Sequence, residues 1–384
     1  MSKRSIYVLP LLFFALGIIF ITMNPFQDTP TIQNIDIPDI LGQFEVERTD
    51  GSYYTFIDMD NNREIDKIAR EVYEGDELIL ADNSLYRVVE INEDTVLCEY
   101  LGQEEVTLTR PVLGPVMAQN NKGTVGIYMT HTAESFVPTS GTESKPGDGD
   151  IINVGRVIAN TLEEKGVNVS FSDNVHDPHD ANAYQRSRRT IAQLLKKRPV
   201  ALIDVHRDGV PDPNFYATEI DGDEAVQIRL VVGRQNQNMQ ANMDFAKQMK
   251  AYYDEVQPGL IKGIFKAKGN YNQDLGPRTI LIEVGTHTNS AEQAKKSAAV
   301  FASHLPGFLG LGTEGGAKGA EAPADKTSKG TISSIIWLLV IFFIGGLAFL
   351  FISTGSIEGS VNKLRNFGKE FTSYLGPLRR KNKK

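Results

Sequence analysis

Along residues 122 to 309 the apolar positions alternate between short unbroken runs and a spacing near 3.6. The runs predict strands at 124–130, 167–172, 200–205, 225–232 and 279–284. The helical spacing predicts helices at about 151–165, 181–197, 238–254 and 290–305. In the first of these, Val154, Val157, Ile158 and Leu162 share one face, and Gly166 stands where a helix ends. The rhythm predicts an α/β domain over 115–309, a mainly parallel sheet covered by helices. Before it, Ser52-Tyr-Tyr-Thr-Phe-Ile-Asp, Glu77-Leu-Ile-Leu-Ala, Leu85-Tyr-Arg-Val-Val-Glu-Ile and Thr95-Val-Leu-Cys-Glu-Tyr are strand-like. Turn signals at Asp60-Asn-Asn, Glu74-Gly-Asp and Asp82-Asn-Ser separate them, so 44–113 is expected to be a small β-rich domain for interaction or spacing. Residues 310–330 have almost nothing to bury and are expected to form a flexible linker.

Two stretches lack any polar face. Ile6 to Met23 is almost wholly apolar, and Thr331 to Ile357 carries no charge. Each is long enough to cross a bilayer as a helix. The expectation is an uncleaved anchor over 1–23, a second transmembrane helix over 331–354 and a basic tail over 355–384. Lys3 and Arg4 flank the first span, and Lys363, Arg365, Lys369, Arg379, Arg380, Lys381, Lys383 and Lys384 follow the second. The positive-inside rule then places both termini in the cytoplasm and everything between the spans outside the cell membrane.

The formal net charge is −8, and the basic residues cluster at the two ends, so the intervening chain is more acidic still. That excludes nucleic acid as a natural partner, since such affinity rests on neutralising phosphates. Cys98 is the only cysteine. It rules out an intramolecular disulfide and a thiolate-ligated zinc. The chain has no Gly-rich phosphate loop and no nucleophile-elbow sequence.

Candidate chemistry lies where the predicted strands end. His131, His206 and Glu283 each follow an apolar run, and strand ends are where an open α/β sheet gathers ligands. Two histidines and a carboxylate suit a zinc hydrolase. His131 and His206 are the first two ligand candidates. The third is Glu134, in His131-Thr-Ala-Glu134, or else Asp148 or Asp150. Glu283, closing Thr279-Ile-Leu-Ile, suits a general base whose pKa burial raises. Arg207 is placed either on a peptide carboxylate or in an ion pair with the loop. His176 and His179 form a His-x-x-His on a proline-containing loop, a weak signal for a second metal and a better one for substrate contact or loop structure. His304 is expected on the surface. Tyr184, Arg188, Asn272, Gln273 and Asp274 are expected to line the cleft.

Several local motifs resemble those of stage II sporulation protein P. They are Ile127-Tyr-Met-Thr-His131-Thr-Ala-Glu-Ser-Phe, Ile203-Asp-Val-His206-Arg-Asp-Gly209, Tyr271-Asn-Gln-Asp-Leu275 and Leu281-Ile-Glu283-Val-Gly285. Val154-Gly155, Val231-Val-Gly233 and Asn242-Met-Asp-Phe-Ala246 fit as well, and the resemblance spans roughly 115 to 305. It implies a zinc-dependent peptidoglycan hydrolase with an N-acetylmuramoyl-L-alanine amidase fold, acting as amidase and peptide-crosslink endopeptidase. It also implies work beside a lytic transglycosylase and a multipass membrane protein while the forespore is engulfed. The family's first histidine, its His-Arg-Asp-Gly histidine and its late glutamate carry over to His131, His206 and Glu283. Two departures stand out: Met129 replaces a histidine in the commoner His-Thr-His-Thr form of the first motif, and the C-terminal span is not part of the family's usual form. A silent wall-binding scaffold and a carboxypeptidase-like zinc peptidase are the competing functions.

Overall fold

The computed structural model describes residues 47–48, 50–108 and 123–311. Both expected spans, most of the linker and the basic tail lie outside these residues. Among the described residues no helix is long and apolar enough to cross a membrane.

The strands are β1 (Tyr54–Asp58), β2 (Arg63–Ile68), β3 (Glu77–Leu80), β4 (Ser84–Asn92), β5 (Thr95–Gln103), β6 (Thr124–Tyr128), β7 (Asn168–Phe171), β8 (Ala201–Asp208), β9 (Ala217–Ile220), β10 (Asp223–Val226), β11 (Ile228–Gly233), β12 (Ile261–Ala267) and β13 (Thr279–Thr286). The helices that cover them are α1 (Asp150–Glu164), α2 (Ala183–Leu195), α3 (Met239–Val256) and α4 (Ala291–Leu309). Ser290 and Gln293 close a reciprocal capping box at the start of α4, so two otherwise orphaned donors are satisfied there.

One 11-stranded sheet runs in the order β2-β1-β5-β4-β3-β12-β11-β13-β8-β6-β7. From β12 to β7 every neighbouring pair is parallel except β11 with β13. The α/β part is thus a mixed sheet with a parallel majority. Every residue of β8, β11 and β13 is buried, as strands covered on both faces require. On one face Ile203, Val205, Leu230 and Ile282 pack with α1, α3 and α4 through Val154, Phe245 and Phe301.

The other face has a different cover. Val231, Phe265 and Leu281 pack there with Phe56, Ile68 and Val88 of the β-rich segment and with Tyr184 of α2. Phe56 meets Phe265 edge-on at 6.1 Å between centroids. The strands within 44–113 therefore continue the sheet through β3 and fold back over it. The seam pairs Gly263 with Leu80 and Lys266 with Glu77. Gly263 has φ 156, and a Cβ there would lie 2.5 Å from the Ile79 carbonyl oxygen, so only glycine fits without movement.

Several elements differ from the periodicity, and neither β2 nor β9 falls in an expected run. The strand expected at 225–232 divides into β10 and β11, with Gln227 between them. Strand β12 was not expected, because two lysines and a glycine interrupt Ile261-Lys-Gly-Ile-Phe-Lys-Ala. Both lysines find partners at the sheet: Lys266 pairs with Glu77 at 2.9 Å, and Lys262 Nζ stands 3.7 Å from the centre of the Phe215 ring.

Candidate metal and acid–base site

Strand alternation puts Leu202, Asp204 and His206 of β8 on the face that α2 covers. In-register pairing sets Glu283 beside His206 and Arg229 beside Glu283, three charged or titratable side chains in a row across three strands. His131 joins them from the loop after β6. Asp204 shapes that loop: its carboxylate accepts from the Thr130 backbone N–H at 2.8 Å and from Thr130 Oγ1 at 2.6 Å.

Glu134 Oε1 stands at the centre of the cluster. It lies 3.0 Å from His206 Nδ1, 3.3 Å from His131 Nδ1 and 3.9 Å from His179 Nε2. Its other oxygen accepts from the Arg207 backbone N–H at 2.9 Å. His179 Nε2 in turn lies 2.7 Å from Glu47 Oε2 but without hydrogen-bond alignment. Glu47, His131, Glu134 and His179 each present a ligand atom within 4.8 Å of all the others.

The Nε2 atom of His131 is buried and has no hydrogen-bond partner, whereas those of His179 and His206 are buried against Glu47 Oε2 at 2.7 Å and Asp204 Oδ1 at 3.1 Å. Buried polar atoms are normally satisfied, so the unpartnered His131 nitrogen beside two carboxylates leaves room for a cation. Protonation points the same way. Burial pushes His131 down to about 4, against its hydrogen bond to Glu134, so its ring is neutral. Burial works against an ionised Glu134, but His206, His131 and Arg207 outweigh it and hold that carboxyl well below its usual range. Glu47 is lowered to about 2, as Arg207 and His179 overcome its burial. Neutral imidazole and ionised carboxylate are a donor set that zinc accepts. His206 differs: burial disfavours its charge, yet Asp204 and Glu134 push it up to about 10, so a metal would have to displace its proton.

Glu283 is fully buried. Arg70 Nη2, from the chain just after β2, holds its Oε1 at 2.6 Å. The Tyr216 hydroxyl lies 3.2 Å from Oε2 and 2.9 Å from Asp208 Oδ2. The hydroxyl has one proton to donate, so it can donate to only one of the two carboxylates at a time. Burial first, helped by Asp208 and opposed by Arg70 and Arg229, brings Glu283 up to about 7.

Not every expected residue reaches the site. Asp150 accepts from the Phe136 N–H and the Ser140 hydroxyl, and Asp148 pairs with Lys145 at the surface, so Glu134 alone of the three contacts the histidines. The Arg207 guanidinium points into the fold, where it donates to the carbonyls of Ser135, Asp208 and Glu143 and pairs with Glu47; it anchors the loop rather than facing a cleft. His176 bonds the Met129 carbonyl and Thr190 at 2.8 Å each, a structural role, whereas its partner in the motif, His179, enters the cluster. Tyr184 stacks on His206 and meets His131 edge-on. Arg188 pairs with Asp274, while Asn272 and Gln273 bond the backbone. His304, in α4, is partly exposed and lies near Tyr253 of α3. Met129 packs on the α1 face, where a Cβ on Gly155 would meet its sulfur at 2.7 Å, so position 129 faces away from the cluster.

Sequence reasoning missed Glu47, Arg70, Tyr216 and Asp204. Asp204 had a signal, an acid inside the apolar run of β8. The other three are assigned by tertiary contact alone.

The sequence model of stage II sporulation protein P matches residues 48–305. The chain belongs to the stage II sporulation protein P family. A member from Bacillus subtilis (strain 168) is 27% identical over 231 residues, which cover 55% of this chain and 57% of that relative's length. Among solved structures, the N-acetylmuramyl-L-alanine amidase Ami1 from Mycobacterium smegmatis superposes over 49% of this chain and 97% of its own at 16% identity and a TM-score of 0.32. The catalytic domain of the amidase CwlV from Bacillus (Paenibacillus) polymyxa var. colistinus does so over 49% and 99%, at 13% identity and a TM-score of 0.32.

Proposed function

We propose that this chain is a membrane-anchored, zinc-dependent peptidoglycan hydrolase, an N-acetylmuramoyl-L-alanine amidase with peptide-crosslink endopeptidase activity in septal remodelling and forespore engulfment. One observation carries the reading: in a member of the stage II sporulation protein P family, His131, Glu134, His179 and His206 converge beside a buried glutamate. His131, Glu134 and His206 would hold the ion, with His179 adjoining. The ion, when bound, supplies positive charge that polarises a carbonyl and lowers the pKa of water towards 7.

The chain's own residues do the rest. Glu283 sits at the pH where it can both take and return a proton. Arg70 and Tyr216 hold its two oxygens and fix where that proton goes. Asp204 fixes the loop that carries His131, and the Arg207 backbone fixes Glu134. In this reading the domain acts outside the membrane between two spans, with peptidoglycan as substrate, beside a lytic transglycosylase and a multipass membrane protein.

Metal analysis of the purified chain should return about one zinc. Mass spectrometry of digested wall should show free muramyl glycan, the mark of an amidase, and cut crosslinks where the endopeptidase acts. Trimmed peptide ends alone would mark a carboxypeptidase-like enzyme. A metal-free, folded chain that binds wall and leaves it intact would make it a scaffold.

A further inference from the structure

The loop between β12 and β13, with its Tyr271-Asn-Gln-Asp run, is held in a costly conformation. Tyr271 has φ 52 and Asn272 φ 57, so two consecutive residues with side chains lie in the left-handed region that glycine tolerates best. Such strain persists only where the surroundings impose it, and it gathers at functional sites. Here the surroundings are explicit. Gln273 clips the loop to the end of β11: its Oε1 accepts from the Gly233 N–H and its Nε2 donates to the Val231 carbonyl, each at 2.9 Å. Asn272 donates to the Tyr184 carbonyl and to Ser187 Oγ of α2, each at 2.9 Å. Asp274 accepts from both ends of the Arg188 guanidinium, also in α2, at 3.0 and 2.9 Å.

What the clamped loop presents is one ring. The Tyr271 side chain is fully buried. Glycines make room for it: a Cβ on Gly233 would lie 3.0 Å from its Cδ2, and one on Gly269 would lie 2.7 Å from its Cζ. Its hydroxyl has no hydrogen-bond partner among the described residues, so the ring itself is what the neighbours meet. Two of those neighbours belong to the site. The Arg70 guanidinium carbon stands over the ring, 5.4 Å from its centre, and Tyr184 meets it edge-on at 5.7 Å between centroids. Arg70 holds Glu283 Oε1 at 2.6 Å, and Tyr184 stacks on His206. A cation within about 6 Å of an aromatic face is attracted to it, most of all where water is excluded.

We propose that Tyr271 is a positioning residue for the base: its ring fixes the Arg70 guanidinium, and through it the place of the Glu283 carboxylate. The inference rests on the hydrolase reading above and gives the Tyr-Asn-Gln-Asp loop its part in it. A long arginine stem has much rotamer freedom to lose, and one hydrogen bond to Glu283 leaves some of it. The Tyr271 ring adds a further restraint, and the strained loop keeps the ring in place. A misplacement of about 1 Å at the chemistry costs about a hundredfold in rate, so a buried ring that never meets substrate still governs turnover.

The test uses the full-length chain in detergent micelles, with cleavage of soluble wall fragments as the assay and circular dichroism as the check on folding. Tyr271→Leu should lower kcat about tenfold, the worth of a desolvated cation–ring contact, and leave KM and zinc content unchanged. Once Arg70→Met has removed the cation, the ring has nothing left to orient. Adding Tyr271→Leu to Arg70→Met should therefore slow the enzyme by less than about twofold more, the non-additivity of two residues that act as one. Tyr271→Phe keeps the ring and should keep wild-type turnover. It should also melt no lower, since it removes a buried hydroxyl that has no partner. Tyr271→Met, closer in volume and without a ring, stands in if Tyr271→Leu fails to fold. Full turnover in the folded ringless variant overturns the proposal. Losses that multiply in the double variant overturn it too, since the ring would then support the fold at large and not Arg70. So does a folded Tyr271→Phe as slow as the ringless variant, which would move the role to the hydroxyl. A wild-type chain that cleaves nothing removes the hydrolase reading, and the proposal with it.

Discussion

Glu283 carries the sharpest conflict at the scale of single residues. Its burial opposes charge, yet two arginines and a tyrosine hydroxyl surround it. The outcome, about 7, leaves it half ionised near neutrality. Activity should therefore fall as pH drops below about 7, because the base is then protonated, and the acid limb of a pH–rate profile measures this. Glu283→Gln should keep the metal and lose on the order of 10²- to 10⁴-fold in turnover, the usual worth of a general base. Full turnover in that variant would remove it from the mechanism. Arg70 lowers the pKa of Glu283, so Arg70→Met should move the acid limb upward as well as slow the enzyme; a slower enzyme with an unmoved limb would leave Arg70 a structural role only. His131, His206 and Glu283 were legible because each ends an apolar run. Arg70 and Tyr216 were not, since nothing local distinguishes them from ordinary polar residues. His179 was visible only as half of a weak pair, and the structure splits that pair between a structural bond and the cluster.

At the scale of elements, the seam between β3 and β12 decides whether the base is set. It joins the α/β sheet to the strands that deliver Arg70. Gly263 lets the strands approach, and a methyl group there would press on the Ile79 carbonyl. Gly263→Ala should cost on the order of 1–3 kcal/mol, from a strained φ and a forced strand shift. Denaturant unfolding measures the loss. Turnover should drop more than this loss alone explains, because Arg70 moves with the seam; unchanged kcat would separate the seam from the base. The helices and most parallel strands were legible because burial of both sheet faces writes itself into unbroken apolar runs. Strand β12 was not, because Lys262 and Lys266 mask its pattern and their partners, Phe215 and Glu77, lie far away in sequence. The β-rich segment was legible as strands but not as part of the same sheet, since pairing between distant strands leaves no local mark.

For the whole molecule, the cluster ties metal to stability. The fold holds two ionised carboxylates and an unpartnered His131 ring nitrogen in a buried space. An ion that binds only the native state stabilises it by about 4 kcal/mol at a thousandfold excess over its Kd. A chelator should therefore lower the Tm, and zinc should restore it. The shift must depend on pH. His206 binds a proton up to about 10 in the metal-free fold, so zinc competes with protons for that ring across the neutral range, and metal affinity rises with pH. The gap in Tm between zinc-loaded and chelated protein should thus be wider at mildly alkaline than at mildly acid pH. His131, held neutral down to about 4, adds little to this trend, since its ring is already free of its proton. Calorimetric scans of both forms at the two pH values make the comparison. Equal melting with and without chelator at both would show that nothing binds at the cluster, and the unpartnered His131 nitrogen would then need another partner.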